Sequence, residues 1–110
     1  MSSLGLFIPE NTEQKGELHV EGDVRIEGNF MGNLYSEYSL TIGKNAYVTG
    51  EIECQKAYIM GVFSGTMRVH QECIVYKTAQ FQGLLDSPIA KMEPGCQFRG
   101  EVFITGQSSP

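Results

Sequence analysis

The sequence predicts an all-β chain, a single domain built as a parallel β-helix of about six coils with roughly 17 residues each and no capping helix. Three observations carry this. The stretch Val24-Arg25-Ile26-Glu27-Gly28-Asn29-Phe30-Met31-Gly32 returns as Ala57-Tyr58-Ile59-Met60-Gly61-Val62-Phe63-Ser64-Gly65, with glycine in the same two places and a phenylalanine between them. Within each copy, apolar residues fall on alternate positions, the pattern of a strand with one buried face and one wet face. Finally, six Gly-x-apolar corners begin at Gly16, Gly32, Gly50, Gly65, Gly83 and Gly100, so successive corners lie 16, 18, 15, 18 and 17 residues apart. Glycine recurring in phase marks places where the backbone bends or takes a positive φ.

Taken in order, residues 1–14 show neither the helical nor the strand period and read as a flexible tail. Pro9-Glu10-Asn11-Thr12 has turn chemistry, and Leu4, Leu6, Phe7 and Ile8 are apolar for such a segment. The β-helix is expected over 15–106, followed by a short tail at 107–110. Two residues before five of the corner glycines stand Phe30, Val48, Phe63, Phe81 and Phe98, and two further back stand Gly28, Ala46, Gly61, Ala79 and Cys96. The coils differ in length because three of them insert a loop, at Gly43-Lys44-Asn45, Tyr76-Lys77-Thr78 and Glu93-Pro94-Gly95. Parity sends Leu18, Val20, Val24, Ile26, Phe30, Leu34, Leu40, Ile42, Val48, Ile52, Ile59, Phe63, Met67, Val69, Val75, Phe81, Leu85, Met92, Phe98, Val102 and Ile104 inward. Phe30, Phe63, Phe81 and Phe98 should then stack along the interior. Each coil must lie on its neighbour about 4.8 Å away, because one coil cannot bury its own inner face.

Composition narrows the function. With a net charge of -5 and eight scattered Lys and Arg residues, the chain lacks the basic clusters that bind nucleic acid. The three cysteines, Cys54, Cys73 and Cys96, have no CxxC spacing and fall on the inward phase, which points to buried reduced thiols rather than a disulfide framework or metal site. No apolar run approaches the ~18 residues of a membrane span, and residues 1–8 lack the basic and hydrophobic regions of a signal peptide. No P-loop supports nucleotide binding. His19 and His70 have no phased nucleophile or carboxylate beside them and read as surface histidines, so no catalytic residue, cofactor or metal ligand is expected. Glu53, Arg68 and Asp86 share one outward slot on successive coils, a solvated charge ladder.

The phased array of Gly-x-apolar corners with two alternating coil lengths, running over residues 15–106, resembles the bactofilin family. The resemblance implies a right-handed β-helix that self-assembles, without nucleotide, into non-polar filaments. It also implies a cytoplasmic bacterial cytoskeletal scaffold that localises cell-shape or cell-wall factors, often at the inner face of the cytoplasmic membrane. Many members carry a longer Pro- or Lys-rich tail than Gln107 to Pro110.

Against that background the candidate residues fall into three groups. Leu18 and Val20 at one end, with Val102, Phe103 and Ile104 at the other, are the candidate polymerisation interface, since a β-helix exposes an apolar cross-section and unpaired backbone at each end. Phe103 lies on the outward phase, where a solubilising residue is expected. Leu4, Leu6, Phe7 and Ile8 either contact a membrane or fold over the first coil as a cap. Tyr47 with Val62, and Tyr58 with Ile74, share outward slots and form a candidate partner patch. Two other functions fit parts of the pattern. Ile42-Gly43-Lys44-Asn45-Ala46-Tyr47-Val48-Thr49-Gly50 resembles a coil of the left-handed acyltransferase β-helices, although spacings of 15 and 16 break their stricter period. A monomeric binding module using the Tyr/Val/Ile patch is the other.

Overall fold

In the computed structural model, residues 5–103 are described, and they form ten strands and no helix. The strands are β1 (Leu6–Ile8), β2 (Glu13–Val20), β3 (Val24–Ile26), β4 (Asn29–Ser36), β5 (Ser39–Ile42), β6 (Tyr47–Ile59), β7 (Val62–Val75), β8 (Gln80–Asp86), β9 (Ala90–Met92) and β10 (Gln97–Phe103). Every pairing between them is parallel, and the stack has about six turns about 17 residues apart. The predicted β-helix is therefore present.

Each coil has three faces. Face A is the stretch before a corner glycine (13–15, 29–31, 47–49, 62–64, 80–82, 97–99), and face B the stretch after it (17–20, 33–36, 51–54, 66–69, 84–86, 101–103). Face C closes the coil (6–8, 24–26, 39–42, 56–59, 73–75, 90–92). The corner glycines stack in register from Gly16 to Gly100, and all six have φ between +114° and +137°. At Gly50 a Cβ would lie 2.0 Å from the carbonyl oxygen of Gly32 in the coil below, so the corner needs both the missing side chain and the left-handed backbone.

The two coil lengths also have a structural cause. At Gly43–Ala46, Tyr76–Ala79 and Glu93–Cys96 a four-residue turn closes between faces C and A, with the amide of its last residue donating to the carbonyl of its first at 3.0, 2.9 and 3.2 Å. At Glu27-Gly28 and Met60-Gly61 the chain makes the same passage in two residues. A Cβ on Gly61 would meet the Gly43 carbonyl oxygen at 2.2 Å, so the short passage requires glycine where the long one accepts Ala46 or Ala79.

Parity assigned the core well. Ile26, Leu40, Ile42, Ile59, Phe63, Met67, Val75 and Leu85 have no measurable exposure, and Phe30, Leu34, Val48, Ile52, Val69 and Phe81 are buried with them. The aromatic column differs from expectation in one place. Phe63, Phe81 and Phe98 do stack, with ring centroids 5.0 and 4.7 Å apart. Phe30 is separated from them because Val48 occupies the intervening coil. Met92, expected inside, is 39% exposed, because it lies on the last described strand of face C. Leu18, Val20, Phe98 and Val102 are half-buried for the same reason, being on the end coils.

The largest difference lies at the beginning. Residues 6–8 fall in the segment read as tail, yet they form a strand in parallel register with Val24–Ile26. The Leu6 amide donates to the Asp23 carbonyl at 2.9 Å, the Glu27 amide donates to the Ile8 carbonyl at 2.7 Å, and Ile8 is buried. Pro9–Thr12 then makes the passage to face A, with Asn11 at φ 63° and the Asn29 amide donating to the Thr12 carbonyl. β1 therefore supplies face C of the first coil, and residues 6–103 make six whole coils.

Candidate functional site

Stacking leaves two unusual surfaces, the first and last coils. Among the described residues, β1 pairs only with β3 and β2 only with β4, while β9 pairs only with β7 and β10 only with β8. Each end therefore carries one free row of backbone donors and acceptors, the feature by which strands recruit further strands. At the N-terminal end the inward positions are Leu6 and Ile8 on face C, Gln14 on face A, and Leu18 and Val20 on face B. The C-terminal end presents Ala90 and Met92, then Phe98, then Val102.

Of the residues expected at the ends, Leu18 and Val20 sit together on one edge strand, and Val102 and Phe103 sit together on the other. Ile104 and Leu4 lie outside the described residues. Phe103 is outward and 48% exposed; its register partner is Asp86, and its carbonyl accepts the Ser87 amide at 2.9 Å. Sequence parity missed Gln14, which continues the inward column of face A below Phe30 and is the one polar member of that column.

The apolar N-terminal segment is divided by its strand. Ile8 is buried and Leu6 half-buried, so neither is presented to a membrane while β1 is paired, whereas Phe7 points outward and is 58% exposed. Tyr47 and Val62 are register neighbours on face A, and Tyr58 and Ile74 are neighbours on face C. They do not form one patch: the passages 43–46 and 60–61 turn the chain between the two pairs. Tyr47 is well exposed, and the other three are half-buried.

Face B carries the polar chemistry. His19, Tyr35, Glu53, Arg68, Asp86 and Phe103 follow one another up a single outward slot, and a groove of about 510 Å³ lies along its lower part. Each histidine has a carboxylate that the sequence did not suggest. His70 Nε2 lies 2.7 Å from Glu53 Oε2, and His19 Nε2 lies 3.4 Å from Glu37 Oε2. The pairs were hidden because they join successive coils, about one repeat apart in the chain. Arg68 Nε lies 3.9 Å from Asp86 Oδ2 at a solvated site, the geometry of a weak surface pair.

The thiols are packing groups. Cys54 and Cys73 are fully buried and Cys96 is half-buried near the C-terminal end. Burial pushes the Cys73 thiol up to about 12, and burial first, then Cys73 and Glu53, pushes Cys54 up further still. At neutral pH both stay protonated and lack the thiolate that nucleophilic or metal chemistry requires. Among the described residues no group of three or more His, Cys, Asp or Glu is placed to hold a metal ion.

A family model, Bactofilin, described as polymer-forming cytoskeletal, matches residues 6–103, from the first residue of β1 to the last of β10. No curated protein and no solved structure gives a match.

Proposed function

The chain belongs to the bactofilin family of polymer-forming cytoskeletal proteins, and from that premise we propose that it assembles end to end into nucleotide-independent, non-polar filaments. On this reading the filament is a cytoplasmic scaffold that positions cell-shape or cell-wall factors. The observation that carries the assembly reading is the pair of strand edges that no described residue pairs, at the two ends of the stack, each backed by half-buried apolar residues. A further coil added at either end pairs backbone groups and buries Leu18 and Val20, or Phe98 and Val102. Repeated at both ends, such contacts give an open polymer.

Electron microscopy and sedimentation of the pure protein without nucleotide test this directly: filaments are expected, and a monomer at all concentrations overturns the reading. Phe103→Arg tests the C-terminal joint. The substitution puts a cation beside Asp86, so the coil folds, while a charge now stands at the joint. Small folded particles joined through their N-terminal ends should replace filaments. Long filaments of this variant would show that the joint does not depend on Phe103. On this reading the inner membrane is met by Phe7, the apolar side chain of β1 that points outward. Liposome flotation of the wild type, lost in Phe7→Ser, is the expected result, and equal flotation of the two removes Phe7 from that role.

A further inference from the structure

Register turns the two ends into a test of how copies can join. If a second copy continued the stack head to tail, each residue of the last coil would lie over the residue of the next first coil that shares its slot. Gly100 would stack over Gly16 as in every internal corner. Arg99 would then lie over Lys15, Glu101 over Glu17, and Phe98 over Gln14. Inside the stack no like-charged register pair occurs among the described residues. Among the described register pairs, two charged residues meet only with opposite signs: Glu53 with Arg68, Arg68 with Asp86, and Lys56 with Glu72. Like charges directly opposite on adjacent strands destabilise the pairing. Gln14, already packed in register with Phe30 on one side, would also be covered by Phe98 on the other with no partner for its amide, a further cost.

The same strands suit a different arrangement. A two-fold axis through the middle of face A lays Glu13-Gln14-Lys15 antiparallel against its own copy. Glu13 then faces the second copy's Lys15, Lys15 faces its Glu13, and the two Gln14 amides meet each other. Faces B and C exchange across that axis, so Leu18 and Val20 face Leu6 and Ile8 of the second copy, apolar against apolar. At the opposite end, Gln97-Phe98-Arg99 laid on itself brings Phe98 to Phe98, and Glu101 shares its interface with Lys91 of the second copy.

We propose that the N-terminal joint of the non-polar filament is centred on Gln14 and held by reciprocal Glu13–Lys15 pairs. This rests on the end-to-end assembly proposed above and assigns the residues that set its direction. Lys15 and Glu13 are exposed, so exchanging their charges leaves the coil core untouched.

The experiment compares wild type, Lys15→Glu, Glu13→Lys and an equal mixture of the two variants, by sedimentation over a concentration series at low salt. Each single variant sets two like-charge contacts in its own joint, and its critical concentration should rise roughly tenfold. The mixture should return to the wild-type value, because each variant's strand is complementary to the other's. If Lys15→Glu alone assembles better than wild type, its new carboxylate is meeting Arg99 in a head-to-tail stack and the proposal fails. Wild-type filaments with no effect of either variant, or with no recovery on mixing, also overturn the joint while leaving end-to-end assembly standing. A wild type that never assembles removes the assembly reading and this inference with it.

Discussion

Phe81 lies between Phe63 and Phe98 in the interior of the stack, tilted against one ring and parallel to the other. Replacing it with alanine removes contacts to both neighbours at once, and the coils on either side are held too firmly by their ladders to collapse into the space. Phe81→Ala should cost about 3–5 kcal/mol, which lowers the melting temperature by at least ~12 °C in a domain of this size. An unchanged melting temperature would contradict the burial of this ring. The buried thiols give a second prediction. Cys73 has its folded value raised to about 12 from an ordinary value near ~8.5, so the protein gains nothing from ionising it in the native state. Its contribution is complete below about pH 8.5 and is lost as pH rises from there through 12. Melting temperature should fall steeply above pH 9, and less steeply in the Cys54→Ala/Cys73→Ala variant. At neutral pH, a thiol reagent applied to the native protein should modify Cys96 and spare the other two.

At the scale of the element, one motif carries different weights at different heights in the stack. Gly16 and Gly50 both sit at corners with φ of +114° and +127°. Below Gly50 the Gly32 carbonyl occupies the place a Cβ would take, whereas nothing lies within 4 Å of a Cβ on Gly16. Gly16→Ala therefore meets only the backbone strain, about 1–2 kcal/mol. Gly50→Ala meets that strain plus a collision with backbone that can move only by opening the ladder. The expected result is a modest loss of melting temperature for Gly16→Ala and a much larger one for Gly50→Ala. Equal losses would mean that conformation alone, and not the stacking distance, selects glycine at these corners.

For the whole molecule, the significant quantity is that the coils are complete. β1 gives face C the same number of strands as faces A and B, and it covers Val24 and Ile26. A chain beginning at Gln14 would uncover both, at roughly 1.5–3 kcal/mol for each side chain fully exposed. That truncation should melt well below the full chain in the absence of any membrane. It should also assemble poorly, since Leu6 and Ile8 are no longer there to meet Leu18 and Val20. A truncated protein of unchanged stability would show that β1 contributes nothing to the stack.

What the sequence determined by itself was the repeat. Alternation, the six corner glycines and the small residues ahead of them are local in the chain, and each has a local cause in strand parity or backbone conformation. The coil number, inward residues, two turn lengths and ladder of Glu53, Arg68 and Asp86 could all be read from them. The tertiary structure alone decided what depends on which residues lie one coil away. Leu6–Ile8 is followed by Gln14 where the other coils place Phe or Val ahead of the corner glycine, which hides its phase; it becomes a strand because Val24–Ile26 offers it a free edge and a core to cover. The glutamates beside His19 and His70, the valine that interrupts the phenylalanine column, and Gln14 at its foot became visible only with the register. The candidate end residues were legible one by one as apolar positions on terminal strands. Their likeness of charge across a head-to-tail joint, and complementarity across a two-fold one, follow from how the ends are aligned, which no single strand encodes.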